Sequence, residues 1–257
     1  MAVNERFDFT GRSVLITGGG KGIGKVYAEE FAKAGACVGM ADIDAAAAES
    51  VAASLTKAGL QAFGLGVDIA DEASVKAAIA AVLDRYGSIE VLINNASLMS
   101  ALPRRSWLEI PVDEWDRVMA VNLRGMFLCC RAAFPAMKAR KRGKIVNISS
   151  SRFWEGTPNR LHYTTSKAGV IGFTRALARE VAEFGITVNA LTPGMTQSET
   201  QVASSSGNYL ATRIAGRAIE RVQVPADLVG AVMFLSSPAS DFMTGQTVNV
   251  DGGKSMH

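Results

Sequence analysis

Tyr163 and Lys167 are the residues whose types and spacing most directly suggest chemistry. They are four positions apart in a stretch with helical periodicity, so their side chains lie on one face of a predicted helix. Tyrosine acts as an acid or base near neutral pH only when its pKa is lowered, and a neighbouring ammonium lowers it by favouring the phenolate. An isolated Tyr-x-x-x-Lys pair is usually an ordinary helix surface, so this prediction depends on the other signals in the chain.

A run of three serines, Ser149 to Ser151, ends the fifth predicted strand upstream of that pair. A serine hydroxyl near the tyrosine can hold a carbonyl oxygen while charge develops on it. The serine, tyrosine and lysine together predict proton transfer to or from the oxygen of an alcohol or a carbonyl.

A glycine-rich segment, Thr17 to Gly24, follows the first predicted strand and reads T-G-G-G-K-G-I-G. Glycines let the backbone turn sharply and approach a pyrophosphate, whose charge is favoured at the N-terminus of the helix that follows. The spacing is G-x-x-x-G-x-G rather than the widespread G-x-G-x-x-G. Taken alone, the segment is equally consistent with a plain tight turn.

The second predicted strand ends at Asp42, about twenty residues beyond the glycines, where a carboxylate can bind both ribose hydroxyls of an adenosine. A carboxylate there also repels a 2′-phosphate, which favours NAD over NADP. Lys21 argues for NADP, because a cation in the glycine loop could reach that phosphate. The prediction is therefore NAD, with NADP as the alternative.

Polar or small residues also follow the third and fourth predicted strands. Asp68 and Ile69 are placed to meet an adenine edge, although Asp68 could equally cap a loop or the next helix. Asn95 and Ala96 can bind neighbouring loops and admit a cofactor, although turn formation would also explain them.

After the sixth predicted strand, Pro193-Gly194 opens a segment rich in serine and threonine, including Thr196 and Ser198. We interpret residues 194–216 as a lid over cofactor and substrate, the alternative being a disordered loop without function. Asn122 lies in an apolar predicted helix, where a buried amide needs partners and could also mark a helix bend.

The composition excludes several classes of protein. The 257 residues are 48% hydrophobic with a net charge of +3, which indicates a globular chain and gives no reason to expect a nucleic-acid or membrane partner. The basic run from Lys138 to Lys144 is interpreted as a helix end. Three cysteines without disulfide or zinc spacing, only two histidines and no apolar signal segment predict a cytoplasmic protein without a metal.

Apolar β-branched runs alternate with helical stretches, which is typical of parallel β-α-β units. This pattern predicts an α/β fold of the doubly wound Rossmann class, with helices on both faces of a seven-stranded parallel sheet and a ligand at the carboxyl ends of the strands. Residues 1–257 are predicted to be one domain. The predicted strands span residues 13–17, 37–42, 62–67, 91–94, 144–149, 187–192 and 247–251.

The stretch from Val118 to Phe134 is apolar on more than one helical face. One side of such a helix packs on the sheet, and the other side needs cover that a second subunit could provide. The sequence therefore predicts a homo-oligomer.

These motifs together resemble the short-chain dehydrogenase/reductase family over nearly the whole chain. The matching positions are the glycine loop, the N-N-A segment Asn94 to Ala96, Asn122, Ser150, the Tyr-x-x-x-Lys pair and Pro193-Gly194. Ser97 departs from the glycine that is common in the family after N-N-A.

The resemblance implies a catalytic tetrad of Asn122, Ser150, Tyr163 and Lys167 and a homotetramer. Lys167 would also bind the nicotinamide ribose, Asn122 would hold a proton-relay water, and Thr196 or Ser198 would face the carboxamide. The expected cofactor contacts are Gly18, Lys21, Gly22, Ile23, Gly24, Asp42, Asp68, Ile69, Asn95, Ala96, Tyr163, Lys167, Pro193, Gly194, Thr196 and Ser198.

Several shorter segments resemble the pyridoxal 4-dehydrogenase and 1-phenylethanol dehydrogenase branches of that family. This finer resemblance predicts NAD-dependent interconversion of a cyclic or aromatic alcohol, including an anionic one, and its carbonyl. The expected substrate contacts are Ser150, Arg152, Trp154 and Tyr163, although the aromatic residue could instead pack beneath the lid and Arg152 could point to water.

Two other functions compete with this prediction. The same tetrad would serve a 3-oxoacyl-carrier-protein reductase, which normally uses NADPH, and Asp42 counts against that cofactor. A nucleotide-sensing protein that kept the fold and lost the chemistry is the other, but such proteins usually have a damaged tetrad, and all four positions are filled here.

Overall fold

The computed structural model describes residues 7–200, 214 and 216–256, and seven parallel strands form its single sheet. The strand order is β3-β2-β1-β4-β5-β6-β7, which confirms the predicted doubly wound fold. The strands are β1 (Ser13–Thr17), β2 (Cys37–Asp42), β3 (Ala62–Gly66), β4 (Val91–Asn94), β5 (Gly143–Ile148), β6 (Ile186–Pro193) and β7 (Thr247–Val250).

The predicted bounds of β3, β5, β6 and β7 are wrong by one residue at one or both ends. Strand pairing accounts for the shifts of β5 and β6, because Gly143 pairs with Ile186 at one end and Pro193 pairs with Val250 at the other. The hydrophobic pattern of a sequence does not show which residues pair at the ends of neighbouring strands.

Helices cover both faces of the sheet. On one face α1, α2 and α8 pack against the strands through an apolar cluster that includes Phe31 and Val232. On the other face α3, α5 and α7 form a second cluster that includes Val82 and Met137. The helices are α1 (Gly22–Lys33), α2 (Ala45–Lys57), α3 (Glu72–Tyr86), α4 (Val112–Met119), α5 (Met126–Ala139), α6 (Arg152–Glu155), α7 (Leu161–Val181) and α8 (Ala226–Ser236).

The strand order reverses between β1 and β4, since β1 pairs with β2 on one side and with β4 on the other. Successive crossovers therefore leave the sheet in opposite directions at this point, and a crevice opens beyond the carboxyl ends of the strands. We call this side of the sheet the carboxyl edge.

The opposite side, which we call the amino edge, carries a cluster of ion pairs. Glu90 accepts hydrogen bonds from Arg12 Nε at 3.3 Å and Arg140 Nη2 at 3.1 Å, and Lys144 Nζ lies 2.7 Å from Asp241 Oδ1. Lys138 lies in the last turn of α5, as expected for a helix end. The helix-end interpretation is wrong for Lys144, which lies in β5, as the predicted strand bounds have it, with 3% of its side chain exposed.

A π-helical segment, Ala120–Gly125, joins α4 to α5 and contains Asn122. Such wide turns are rare and frequently occur at functional sites. Most of the apolar side chains that follow are buried within the chain itself, but Phe127 is exposed and lies beneath the guanidinium of Arg131. The homo-oligomer therefore stays a prediction.

No helix among the described residues combines the length and the apolar character needed to cross a membrane.

Candidate active site

A cavity of about 890 Å³ opens at the carboxyl edge and brings most of the predicted site residues together. Its cofactor end is lined by the segments after β1, β2 and β3, including Gly18, Asp42 and Asp68. Its substrate end is lined by residues between Ile148 and Lys167, including Ser150 and Tyr163. Both predicted sites thus share one cavity, which is large for a small-molecule site.

The glycine loop is fixed by hydrogen bonds to the segment after β4. Asn95 Nδ2 donates to the carbonyl oxygens of Thr17 and Gly18, both at 3.0 Å. Gly18 has φ +65°, and a Cβ there would lie 2.9 Å from the Cα of Ala96. Because only glycine fits this approach and this backbone conformation, the sequence pattern specified the loop correctly.

The N-terminus of α1 lacks a capping side chain, since its N-cap residue is Lys21 and its first turn has no acidic residue. The amide of Gly22 instead donates to Glu199 Oε1 at 3.0 Å, and Lys25 Nζ lies 3.9 Å from Glu199 Oε2. A carboxylate oxygen thus occupies the place where a helix N-terminus favours an anion. These donors fit the pyrophosphate of a dinucleotide, which would compete with Glu199 for them.

Asp42 ends β2 with both carboxylate oxygens held by backbone amides. Gly20 N donates to Oδ2 at 2.9 Å, and Asp44 N donates to Oδ1 at 3.0 Å. Lys21 Nζ, the cation that argued for NADP, lies 2.6 Å from Asp44 Oδ2. The Asp42 carboxylate is therefore held in a fixed position at the cofactor end. The lysine of the glycine loop, Lys21, is paired with a different carboxylate, that of Asp44.

Asp68 has a loop-capping role, because Ala70 N donates to its Oδ1 at 2.8 Å. The cap of α3 is the neighbouring Asp71, which accepts from Ser74 N at 2.7 Å. Asp68 and Ile69 also line the cavity, so their contact with an adenine stays a prediction.

The segment after β6 lines the cavity, and its end contacts the glycine loop. Thr196 is 6% exposed and donates to the Gly194 carbonyl at 3.1 Å, and the hydroxyls of Ser198 and Thr200 are 3.0 Å apart. Arg217 Nη2 donates to Met195 O at 2.7 Å and so holds this segment from outside. Of the predicted lid, residues 201–213 and 215 lie outside the described residues.

Asn122 joins the loop after β4 to α7. Its Oδ1 accepts from Leu98 N at 2.8 Å, while its Nδ2 donates to Leu98 O at 3.3 Å and to Ser166 Oγ at 3.0 Å. This side chain therefore positions the loop and the helix that carries Tyr163. The proton-relay water that the resemblance assigned to Asn122 stays a prediction.

Tyr163 lies at the substrate end, 7% exposed, with Ser150 beside it. Burial raises the pKa of the Tyr163 phenol, whereas hydrogen bonds to the Ser150 and Ser97 hydroxyls and the charges of Arg152 and Arg160 lower it. Ser97 thus contributes a hydroxyl where the family commonly has none. These four neighbours stabilise the phenolate and so counteract the effect of burial on the pKa.

Lys167 lies below Tyr163, with its Nζ 5.8 Å from the centre of the phenol ring. The Nζ donates to Ile148 O at 2.8 Å, and burial lowers the pKa of this amine to about 7. We expected the ammonium to be what lowers the pKa of Tyr163. In this structure the pKa of Tyr163 is raised, because burial outweighs the lowering by the Ser150 hydroxyl, the charges of Arg152 and Arg160 and the Ser97 hydroxyl.

Arg152 and Trp154 lie in α6, which follows Ser151. Arg152 lines the cavity and donates to Thr164 Oγ1 at 3.3 Å and to the carbonyl oxygens of Thr157 and Pro158. Trp154 packs against Phe153, with ring centroids 4.1 Å apart, and does not belong to the described lining of the cavity. Its role as a substrate contact stays a prediction.

Sequence reasoning missed four charged residues that line the cavity, namely Asp44, Arg117, Glu155 and Arg160, and also Glu199, which meets the N-terminus of α1. Arg160 comes three residues before Tyr163, at the start of the same helix, and that position could have identified it. Glu155 and Glu199 are ordinary loop and helix-end carboxylates in the sequence. Their significance depends on what they contact.

A family model described as short chain dehydrogenase matches residues 12–208. The chain is 36% identical over 247 residues to (2S)-[(R)-hydroxy(phenyl)methyl]succinyl-CoA dehydrogenase subunit BbsD of Thauera aromatica, which covers 95% of this chain and 97% of that protein. It is 36% identical over 248 residues to 3-oxoacyl-[acyl-carrier-protein] reductase FabG of Staphylococcus aureus. This match covers 95% of this chain and 98% of that protein.

Among solved structures, the 3-ketoacyl-(acyl-carrier-protein) reductase from Brucella melitensis complexed with NADH matches with a TM-score of 0.89 at 33% identity. The match covers 96% of this chain and 100% of that one. The narrower resemblance to pyridoxal 4-dehydrogenase and 1-phenylethanol dehydrogenase stays a prediction. The family model, the relatives and the fold agree, and the chain belongs to the short-chain dehydrogenase/reductase family of oxidoreductases.

Proposed function

We propose that this enzyme interconverts an alcohol and its carbonyl with NAD, and that the alcohol is cyclic or aromatic. The observation that carries the proposal is the shared cavity, in which a fixed carboxylate, Asp42, lies at the cofactor end and Ser150, Tyr163 and Lys167 meet at the substrate end. A dinucleotide cofactor with a substrate beside it would occupy both ends at once.

The proposed mechanism assigns one task to each residue of the tetrad. In oxidation the Tyr163 phenolate takes the hydroxyl proton, and the Ser150 hydroxyl donates a hydrogen bond to the substrate oxygen. The Ile148 carbonyl holds Lys167 Nζ in place. When the lysine amine is protonated, its charge stabilises the Tyr163 phenolate. Asn122 keeps the loop after β4 against α7. A nicotinamide bound in the cavity supplies the hydride acceptor, and reduction reverses these steps.

NAD rather than NADP is supported by the position of Asp42. Asp42 lines the cavity and backbone amides hold both of its carboxylate oxygens, so a 2′-phosphate would meet a carboxylate that cannot easily turn away. Lys21 pairs with Asp44 at 2.6 Å, which weakens the argument for NADP.

The aromatic substrate class rests on similarity to other proteins. The narrower sequence resemblance favours it, and the relative from Thauera aromatica is named for a hydroxy(phenyl)methyl group, which is an aryl secondary alcohol. We extend the proposal to a single-domain, cytoplasmic homotetramer. The free thiols of the three described cysteines fit a reducing compartment, and the exposed Phe127 fits a subunit contact.

A second candidate is a 3-oxoacyl-carrier-protein reductase, because two of the similar proteins carry that name and the tetrad would serve it equally. Its usual NADPH would meet the Asp42 carboxylate. The experiment that separates the two compares initial rates with NAD and a panel of aryl and cyclic alcohols against rates with NADPH and a 3-oxoacyl thioester. Faster oxidation of an alcohol with NAD supports the proposal, whereas turnover of the thioester alone establishes the reductase.

A further inference from the structure

The N-terminus of α1 is held by a side chain from a distant part of the chain. Gly22 N donates a hydrogen bond to Glu199 Oε1 at 3.0 Å, and Lys25 Nζ lies 3.9 Å from Glu199 Oε2. The helices α2 and α3 are instead capped by the aspartate directly before each of them, Asp44 and Asp71. The first amides of a helix lack partners within it and favour an anion. At α1 that anion comes from 177 residues away along the chain.

The residue after Glu199 closes over the same place. A Cβ on Gly22 would lie 3.1 Å from Thr200 Oγ1, so the segment after β6 and the glycine loop are in contact. Gly22 and Thr200 both line the cavity. In this conformation the end of the segment covers the part of the glycine loop at which the pyrophosphate of a dinucleotide is expected.

The segment after β6 is fixed at its start by contacts away from the glycine loop. Arg217 Nη2 donates to Met195 O at 2.7 Å, and Gln197 N donates to Gln223 O at 2.8 Å. The side chain of Glu199, by contrast, is 55% exposed. An exposed carboxylate regains water when it leaves its partner, so giving up Gly22 N costs little.

Two anions cannot use this place together. A pyrophosphate oxygen that accepts from Gly22 N needs the position that Glu199 Oε1 holds. The two lysines of this region each lie beside a carboxylate already, since Lys21 is 2.6 Å from Asp44 and Lys25 is 3.9 Å from Glu199. A second anion would therefore be repelled by the first as well as excluded by its volume.

We propose that Glu199 is a tethered competitor of the cofactor, whose carboxylate occupies the pyrophosphate position on Gly22 N in the free enzyme and must leave before a dinucleotide binds. The inference rests on the proposed function, because it takes the ligand of α1 to be the pyrophosphate of NAD. A site that is open in only a fraction of the molecules binds its ligand more weakly by that fraction, and it binds more slowly as well. Glu199 thus tunes cofactor affinity and has no part in the chemistry.

The test measures NADH binding and does not depend on turnover. Stopped-flow fluorescence gives the association and dissociation rate constants of NADH for the wild type and for Glu199→Gln. We expect the variant to bind NADH about fivefold more tightly, because a neutral amide is a weaker ligand for a helix N-terminus than a carboxylate. The gain should appear in the association rate constant, with dissociation unchanged within about twofold. Weaker binding by the variant, or a gain found only in dissociation, would overturn the proposal.

Glu199→Asp separates the contact with Gly22 N from the charge. Aspartate keeps the charge but is one methylene shorter, so we expect it to release Gly22 N and to raise NADH affinity as Glu199→Gln does. An affinity equal to that of the wild type would show that charge alone acts on the cofactor, which would contradict the proposal.

Glu30→Gln is the matched control, because Glu30 pairs with Lys33 at 2.7 Å in the last turn of the same helix. This variant should leave NADH affinity within about twofold of the wild-type value, since the effect of a charge on a helix terminus falls off within one turn. A gain equal to that of Glu199→Gln would point to the net charge of the protein and would contradict the proposal.

The two levels of the account fail differently. If no alcohol is oxidised but Glu199→Gln and Glu199→Asp bind NADH more tightly, the competition stands and the reaction is wrong. If an alcohol is oxidised with NAD but both variants bind NADH as the wild type does, the reaction stands and the competition is wrong. If neither variant nor the wild type binds NADH, both are overturned.

Discussion

The two edges of the sheet use polar residues in opposite ways. At the amino edge, Arg12, Glu90, Lys144 and Asp241 form ion pairs with one another or with nearby residues. At the carboxyl edge, Ser150, Tyr163 and Asp42 line a cavity, and their neighbours fix their orientation while leaving them at its wall. Buried charges that pair within the protein hold the fold together, whereas oriented groups at a cavity wall are available to a ligand.

This difference predicts that the two edges respond differently to mutation. Apart from Lys167, whose burial links its charge to stability, substitutions at the carboxyl edge should change rates or cofactor preference and leave the free energy of unfolding nearly unchanged. Substitutions at the amino edge should do the reverse. The following variants test this separation, from the largest expected effect to the smallest.

Ser150→Ala should lower kcat about 100- to 1000-fold, because the developing charge on the substrate oxygen loses its hydrogen-bond donor. Its free energy of unfolding should change by less than about 1 kcal/mol, since the side chain is only half-buried. Steady-state rates and urea unfolding measure both quantities. Ser151, whose hydroxyl donates to Glu155 at 2.9 Å, is the matched serine. A larger rate loss in Ser151→Ala would show that the wrong serine was assigned.

Glu90→Ala should lower the free energy of unfolding by about 3 kcal/mol, because it leaves the nearly buried Arg12 without its carboxylate. The kcat/KM of the folded fraction should stay within about twofold of the wild-type value, since Glu90 is at the edge opposite the cavity. A large fall in kcat/KM with unchanged stability would contradict the claim that the amino edge stabilises the fold without taking part in catalysis.

Lys167 should give the apoenzyme a pH-dependent stability. Burial lowers its pKa in the folded state from 10.5 to about 7, so between these values the unfolded chain binds more protons than the folded one. Stability must therefore rise with pH in that window, by about 2 kcal/mol between about pH 7 and about pH 9. The difference in unfolding free energy between wild type and Lys167→Met should grow by this amount. A difference independent of pH would mean that Lys167 titrates normally.

Asp42→Ala should shift cofactor preference rather than chemistry. Losing the carboxylate removes two ribose hydrogen bonds and the repulsion of a 2′-phosphate, so the ratio of kcat/KM for NAD to that for NADP should fall about tenfold or more. Parallel assays with both cofactors measure the ratio. An unchanged ratio would mean that Asp42 does not contact the adenosine ribose of the cofactor.

The sequence was most informative where the backbone itself determines the site. Gly18 and Asp42 could be placed correctly because one needs a positive φ beside Ala96 and the other ends a strand at the carboxyl edge. The Tyr163–Lys167 pair followed from helical periodicity. Each of these features depends on local chain geometry, and the spacing of residues in the sequence reflects that geometry.

Features that depend on contacts between distant segments could not be predicted. Lys144 belongs to a basic run in the sequence but pairs with Asp241 across the fold. Glu199 meets the amide of Gly22 through an approach of segments 177 residues apart. The effect of Arg160 on the phenol depends in the same way on the packing of α7 against the loop after β4. Neither Lys144 nor Glu199 has a spacing in the sequence that marks its role.

The most direct test of the central claim is a single-turnover measurement with Tyr163→Phe at saturating NAD and the best substrate of the panel. We predict that the rate of NADH formation falls about 100- to 10,000-fold, because phenylalanine cannot accept the hydroxyl proton. The Kd for NADH should stay within about twofold, since the ring remains to pack the site. Near-native turnover by this variant would contradict the account, because proton transfer would then not pass through Tyr163.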